Sequence, residues 1–381
     1  MKRIAIFCDG TWNAADSPFP TNVHLLHGAV RTTGDDGVAQ FSKYVPGVGT
    51  GFGMTGLRAK WDKISGGVFG VGVTRNITAA YRFLAETYES GDEIHIFGFS
   101  RGAFTARSLA GLLRASGLPD ADQMDRIPVA IKRYRDMNRN TAPNTLESHK
   151  FRAGFSSSLA TSKTEQAWRI RSGYPEPAIL SVSYLGVWDT VGALGVPGHY
   201  RLLARIFNGN HGFHDLVLSR SVKAARHGVS IDEKRRTFPP TLWQNMGLLN
   251  QMDDDNRRLY QQHWFAGDHG SVGGGGDILG LSSIALGWIA AGATDQGLAF
   301  DTDMLAGFAR EQEAVTTPLM NHTKPPGFVG RLLRKRVLHR EGKYAPSFVW
   351  DVSEPAKRRW RATTEYRPRP LLHLSDDLDE T

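Results

Sequence analysis

The chain predicts an α/β fold built on a doubly wound, mostly parallel sheet, and three observations carry that expectation. Short apolar runs, the pattern of strands buried on both faces, recur at Arg3–Cys8, Ile94–Phe99 and Ala178–Trp188, and Tyr260–Ala266 reads as a further strand. Segments with helical spacing alternate with these runs, as crossover helices between parallel strands do. Finally, the run from Ile94 passes through Gly98-Phe99-Ser100-Arg101-Gly102 and at once into a helical pattern. Strand, sharp turn and helix form the setting in which Gly-x-Ser-x-Gly lifts a serine hydroxyl above a sheet.

The elements follow in order. Arg3–Cys8 is a strand ended by Asp9-Gly10, and Asn22–Arg31 has helical spacing through Val23, Leu26 and Val30. The glycine-rich stretches Gly47–Gly53 and Gly66–Gly72 do not spell Gly-x-Gly-x-x-Gly, because Phe52, Met54 and Arg75 stand where its last glycine would fall. Thr74 is placed to cap a helix carrying Ile77, Tyr81, Leu84 and Tyr88. Gly91-Asp92 ends that helix, the elbow strand follows, and a helix runs from Ala103 to about Ser116. Residues 120–175 are helical, polar and poor in strands, which predicts an insertion or cap controlling access to the site. Ala178–Trp188 resumes the strand pattern and ends in Asp189-Thr190-Val191-Gly192. A helix is predicted around Ser219–His227. Tyr260–Ala266 is the next strand, followed by Gly267-Asp268-His269-Gly270 and then a helix through Leu281, Ile284, Leu286, Trp288 and Ile289. These elements predict one catalytic domain over residues 1–322 and a basic extension over 323–381, packed on that domain or trailing from it.

With 381 residues, 40% hydrophobic and 22% charged, the chain has ordinary globular composition and can bury a large core. A formal charge of +8 favours anionic partners. The single cysteine, Cys8, excludes an internal disulfide framework and a cysteine-based zinc site. The N-terminal apolar run is too short for a signal peptide, and the longest apolar helical stretch, about 284–293, falls short of the roughly 20 residues that span a membrane. The chain therefore reads as soluble and cytoplasmic, with signal-independent secretion left open.

A serine becomes nucleophilic only when a base takes its proton, and that base needs a third group to orient it. On a doubly wound sheet the partners are expected just past later strand ends, in the order Ser, Asp, His. Ser100, Asp189 and His269 meet that expectation. Other readings of the same residues remain: Ser100 or Asp189 as a helix cap, His269 as a loop histidine bonded to Asp268. Gly98 and Gly102 support the tight turn at Ser100. The tetrahedral oxyanion needs N–H donors, for which the backbone of Arg101 and of Gly10 or Thr11 is the candidate set, with Asp9 bracing the loop. Among the other histidines, His95 and His263 lie in strand patterns, His199 is at most a rim residue, and His227 is the second candidate base. Asp9-Gly10-Thr11 also resembles the motif of aspartate-nucleophile phosphatases, but Phe7 stands where their nucleophile would be.

In combination, Cys8–Asn13, Val45–Thr50, Gly91–Ile94 with Gly98–Arg107, Gly186–Gly192, and Trp264–Gly275 resemble one family. It is the α/β-hydrolase family that includes the catalytic domain of type VI secretion phospholipase effectors of the Tle1 type; His227 with Ile231–Phe238 resembles a further block of it. The likeness covers roughly residues 1 to 290. It implies an α/β-hydrolase-like sheet with helical insertions and a serine esterase or phospholipase that uses no cofactor or metal. It also implies Ser100, Asp189 and His269 as triad, in agreement with the residues read alone. The additional membrane-associating segments of those effectors have no counterpart of sufficient length here. A soluble esterase of a small substrate, or a hydrolase-like binding module, are the alternatives.

The basic runs Arg331–Arg340 and Lys357–Arg361 suit peripheral contact with anionic lipid, or a solvated surface paired with the acidic end Asp376–Glu380. No nucleic-acid motif accompanies them, and no nucleic-acid partner is expected.

Overall fold

In the computed structural model, which describes residues 1–11, 13, 17–48, 68–191, 217–235, 238–252, 257–322 and 340–380, six strands form one sheet in the order β2-β1-β3-β6-β7-β8. They are β1 (Arg3–Cys8), β2 (Gln40–Val45), β3 (Glu93–Phe99), β6 (Val182–Trp188), β7 (Val222–Ser230) and β8 (Tyr260–Phe265); the short β4 (Leu159–Ala160) and β5 (Ala178–Ile179) pair separately. Every pairing in the main sheet is parallel. All six carboxyl ends therefore share one edge, and the strand order reverses between β1 and β3, where such sheets open a crevice.

The helices are α1 (Asn22–Gly28), α2 (Val68–Thr87), α3 (Arg101–Ser116), α4 (Ile127–Arg135), α5 (Leu146–Ala153), α6 (Lys163–Arg171), α7 (Met246–Asn250), α8 (His269–Gly273), α9 (Gly280–Thr294), α10 (Thr302–Arg310), α11 (Glu354–Ala362) and α12 (Ser375–Glu380). Strand residues alternate between two cores. Ile4, Ile6, Ile94 and Ile96 pack with α2 and α3 on one face, while Ala5, Phe7, Phe97 and Phe99 pack with α1 and α9 on the other. This covering of both faces explains why the strands read as unbroken apolar runs.

Several elements differ from expectation. The helix expected to start at Thr74 begins at Val68, so Thr74 lies inside it, its carbonyl accepting from the Thr78 hydroxyl at 2.7 Å. The edge strand β2 is unannounced in the sequence, because its middle is exposed and polar. The long strand expected over Ala178–Trp188 divides into β5 and β6. The helix expected around Ser219–His227 is instead β7. Its Ala-Ala-Arg centre suits a helix, but the segment pairs with β6 on one side and β8 on the other, and that pairing overrides local preference.

Residues 120–175 pack against the elbow helix α3. Their anchors lie at the carboxyl end of α3: Arg152 donates to the Ala115 carbonyl at 2.9 Å, Arg114 to Thr161, and the Leu118 N–H to Ser156. Ser100 precedes the other end of this 16-residue helix, about 24 Å away at 1.5 Å per residue. The centre of the insertion is Glu165, fully buried between Arg152 and Arg169.

The chain beyond residue 340 packs along the β8 edge. Val352 bridges Trp264, the Ser353 N–H donates to the Trp264 carbonyl at 2.9 Å, and Trp360, Leu371, Leu374 and Leu378 join the second core. Within the run Lys357–Arg361, Arg358 and Arg361 are exposed and the other three residues turn inward. Lys357, Arg359 and Trp360 are buried, Arg359 donates to the carbonyls of Ala314 and Thr317, and the Trp360 indole donates to Asp379. Arg331–Arg336, His199 and most of the glycine-rich stretches lie outside the described residues. Among the described residues, no helix is long and apolar enough to cross a membrane.

Candidate active site

The turn after β3 is strained. Ser100 has φ 57° and ψ −118°, a region that residues with a Cβ rarely occupy, and α3 begins at the next residue. The crossing is so close that a Cβ on Gly98 would lie 2.4 Å from the Gly102 carbonyl oxygen, and one on Gly102 would lie 2.1 Å from that of Cys8. Only glycine fits at either place. The Ser100 side chain makes no capping bond to α3, so the cap reading is set aside. Its Oγ lies 2.8 Å from His269 Nε2.

His269 opens α8. Its Nδ1 lies 2.6 Å from Asp189 Oδ2, which orients the ring with Nδ1–H toward the carboxylate and leaves Nε2 to accept from the serine hydroxyl. Phe99 lies against one side of the ring with centroids 4.6 Å apart, and Phe238 meets it edge-on at 4.8 Å. Asp268 does not hold this ring; it caps α8 by accepting from the Ser271 N–H at 3.0 Å. The His269 N–H donates to Glu233.

Asp189, just past β6, is fully buried and also has a positive φ, 34°. Besides His269, its carboxylate accepts from the Ser230 N–H and hydroxyl at 3.0 Å each, and from Arg340 at 2.7 and 3.0 Å. Burial alone would raise its pKa, but the Arg340 charge and the bonds from His269 and Arg340 outweigh that and hold it far below the ordinary carboxylate range.

On the β1 side, the candidate oxyanion loop lies beside the elbow: a Cβ on Gly10 would come within 3.4 Å of Ser100 Cβ. Asp9 braces this loop, accepting from the Gly10 N–H at 2.6 Å, Thr21 at 2.7 Å and Tyr44 at 2.6 Å. Burial raises the Asp9 pKa against those three bonds. The Gly10 N–H, one of the two loop donors expected for an oxyanion, is thus engaged by Asp9.

His227, the second candidate base, does not reach Ser100. It sits in β7 with Nε2 accepting from the Thr190 N–H at 3.2 Å and Nδ1 3.0 Å from Gln262, steadying the backbone behind Asp189. Burial, reinforced by the Arg107 charge, lowers its pKa to about 3. Two contributors escaped the sequence reading. Ser230 ends a strand that the sequence disguises as a helix. Arg340 stands in a basic run that reads as surface. Among the described residues, no group of three or more His, Cys, Asp or Glu side chains is arranged to hold a metal.

The family model for the type VI secretion phospholipase effector Tle1-like catalytic domain matches residues 2–292. The uncharacterized protein YEL023C of Saccharomyces cerevisiae is 29% identical over 245 residues, covering 62% of this chain and 32% of its own length. A solved uncharacterized protein from Pseudomonas aeruginosa aligns with TM-score 0.44 and 19% identity over 81% of this chain and 48% of its own. A Tle1 effector solved bound to the VgrG spike of the type VI secretion system aligns with TM-score 0.39 and 17% identity, over 74% and 52% respectively. The chain thus spans about a third of the yeast protein and about half of each solved chain.

Proposed function

The chain belongs to the family of type VI secretion Tle1-like phospholipase effector catalytic domains, and on that premise we propose that it is a serine hydrolase of carboxylic esters with phospholipid as its substrate class. The observation that carries the proposal is the unbroken line from Ser100 Oγ to His269 Nε2 and from His269 Nδ1 to Asp189, at 2.8 and 2.6 Å. Support also comes from the strained turn, which strand pairing and two obligatory glycines maintain at the serine.

In this reading Ser100 Oγ attacks the acyl carbonyl carbon while its proton passes to His269 Nε2. Charge gathers on the carbonyl oxygen, for which the N–H groups of Arg101 and Thr11 are the proposed donors. Collapse of the tetrahedral species breaks the ester C–O bond, and His269 returns the proton to the departing alcohol. Water then gives a proton to His269 and attacks the acyl-Ser100 ester; the bond from the carbonyl carbon to Ser100 Oγ breaks, His269 returns its proton to Oγ, and the acyl group leaves as a carboxylic acid. Asp189 holds the imidazole in register and stabilises its protonated form.

The test compares purified wild type with Ser100→Ala on mixed phospholipid vesicles and on short p-nitrophenyl esters. Fatty acid released from vesicles by wild type and not by the variant is the expected result. Cleavage of the short esters alone would retain the serine hydrolase and remove phospholipid. Silence on both, together with no fluorophosphonate labelling of Ser100, would overturn the proposal.

A further inference from the structure

We propose that Arg340 is a positioning residue of this site, a cation supplied from outside residues 2–292 that fixes the carboxylate of Asp189 and, through it, the imidazole of His269. The inference rests on the serine-hydrolase reading and extends it to a residue that no family likeness covers.

Arg340 is 1% exposed, and both of its terminal nitrogens are committed. Nη1 donates to Asp189 Oδ1 at 2.7 Å, to the Ser230 carbonyl at 2.6 Å and to Ser230 Oγ at 2.8 Å. Nη2 donates to Asp189 Oδ2 at 3.0 Å and to the Phe238 carbonyl at 3.0 Å. A two-pronged grip on a carboxylate is a geometry that arginine's planar fork provides and lysine's single ammonium does not.

The grip has three consequences. It fixes the plane of the carboxylate. With Arg340 and Ser230 each bonded to both oxygens, the group cannot turn without breaking bonds on both sides, so Oδ2 stays aimed at His269 Nδ1. It anchors the loop of Phe238, whose ring meets the imidazole edge-on at 4.8 Å. It also places a full positive charge on the far side of Asp189. There it keeps the carboxylate ionised in a buried setting. A buried ion pair is poor evidence of a stability device, because desolvation offsets much of the attraction. Here the pair lies one hydrogen bond from the histidine that contacts the nucleophile.

The test reads the rate of Ser100 labelling by a fluorophosphonate across pH 5 to 9 in the full chain. It uses wild type, Arg340→Lys, Arg340→Met, Asp189→Asn and the double variant Asp189→Asn/Arg340→Met, with near-ultraviolet circular dichroism to establish that each is folded. Arg340→Met is expected to label about 10²-fold more slowly, the scale of a small misplacement in a catalytic constellation. Arg340→Lys keeps the charge and loses the fork, so its rate also falls. In the Asp189→Asn background, Arg340→Met is expected to add nothing, because Arg340 acts through that carboxylate. An equal loss in both backgrounds would overturn the inference in favour of a purely structural arginine. So would the wild-type rate in both single Arg340 variants. If Arg340→Met fails to fold, the rate of Arg340→Lys, alone and in the Asp189→Asn background, decides. Absence of labelling in wild type would instead overturn the hydrolase reading itself.

Discussion

Ser100 keeps its hydroxyl in reach of His269 by holding φ at 57°, an angle that costs a serine of order 1–3 kcal/mol and a glycine almost nothing. Ser100→Gly is therefore expected to raise the unfolding free energy by about 1 kcal/mol while abolishing ester hydrolysis. Ser100→Ala, which keeps a Cβ, should lose activity without that gain. Parallel urea titrations check both, and equal stability in the two variants would mean that the turn is unstrained. The residues that meet at this point were unequally legible. Ser100, Asp189 and His269 each follow an apolar run, so strand ends in the right order pointed to all three. The bond from the Gly10 N–H to Asp9 was not legible, because a sequence does not say which acceptor holds an N–H. Arg340 carried no local sign, since a buried arginine and a solvated one have the same neighbours in sequence.

The elbow is the element that tolerates least. Gly102→Ala would force a methyl group to 2.1 Å from the Cys8 carbonyl oxygen, whereas at Gly228, within β7, the nearest atom to an added Cβ is 3.4 Å away. Gly102→Ala is expected to cost at least about 3 kcal/mol and Gly228→Ala less than about 1 kcal/mol, a contrast that thermal unfolding resolves. In the insertion, Glu165→Gln would leave the buried guanidinium groups of Arg152 and Arg169 without their carboxylate, at a cost of about 3–5 kcal/mol. Folded Glu165→Gln should still label at Ser100 at the wild-type rate, because the insertion braces the remote end of α3; a slowed rate would restore the insertion to a role at the site. Elements were legible where burial on both faces wrote a continuous apolar run, as in β1, β3 and β6. They were not where pairing alone decides: β7 carries helix-favouring residues, and β2 is an exposed edge.

Across the whole molecule, the buried His95 and His227 and the half-buried His263 contribute to the response to acid. Burial lowers the pKa of His95 and of His227 to about 3 and that of His263 to about 4. All three are neutral in the folded protein at pH 7, whereas the unfolded chain takes up their protons below about pH 6.5. Their effect on stability is thus nil above that value and becomes progressively unfavourable as pH falls toward 3–4, by up to about 4 kcal/mol per pH unit for the three together. The urea midpoint is expected to be flat above pH 7 and to fall steeply below 6. His95, neither of whose ring nitrogens has a partner among the described residues, offers the cleanest check: His95→Leu should remove about a third of that slope and stabilise at neutral pH. An unchanged slope would mean that the ring finds water. The distance along the chain between the two hydrogen-bonded partners Ser100 and His269, 169 positions, bears on synthesis as well as on folding. At about 5–20 residues per second, a ribosome makes the serine roughly 8 to 34 s before the histidine. Under the proposed mechanism, a growing chain carries for that interval an elbow with no base to activate it, so hydrolytic power arrives in one step rather than accruing along the way.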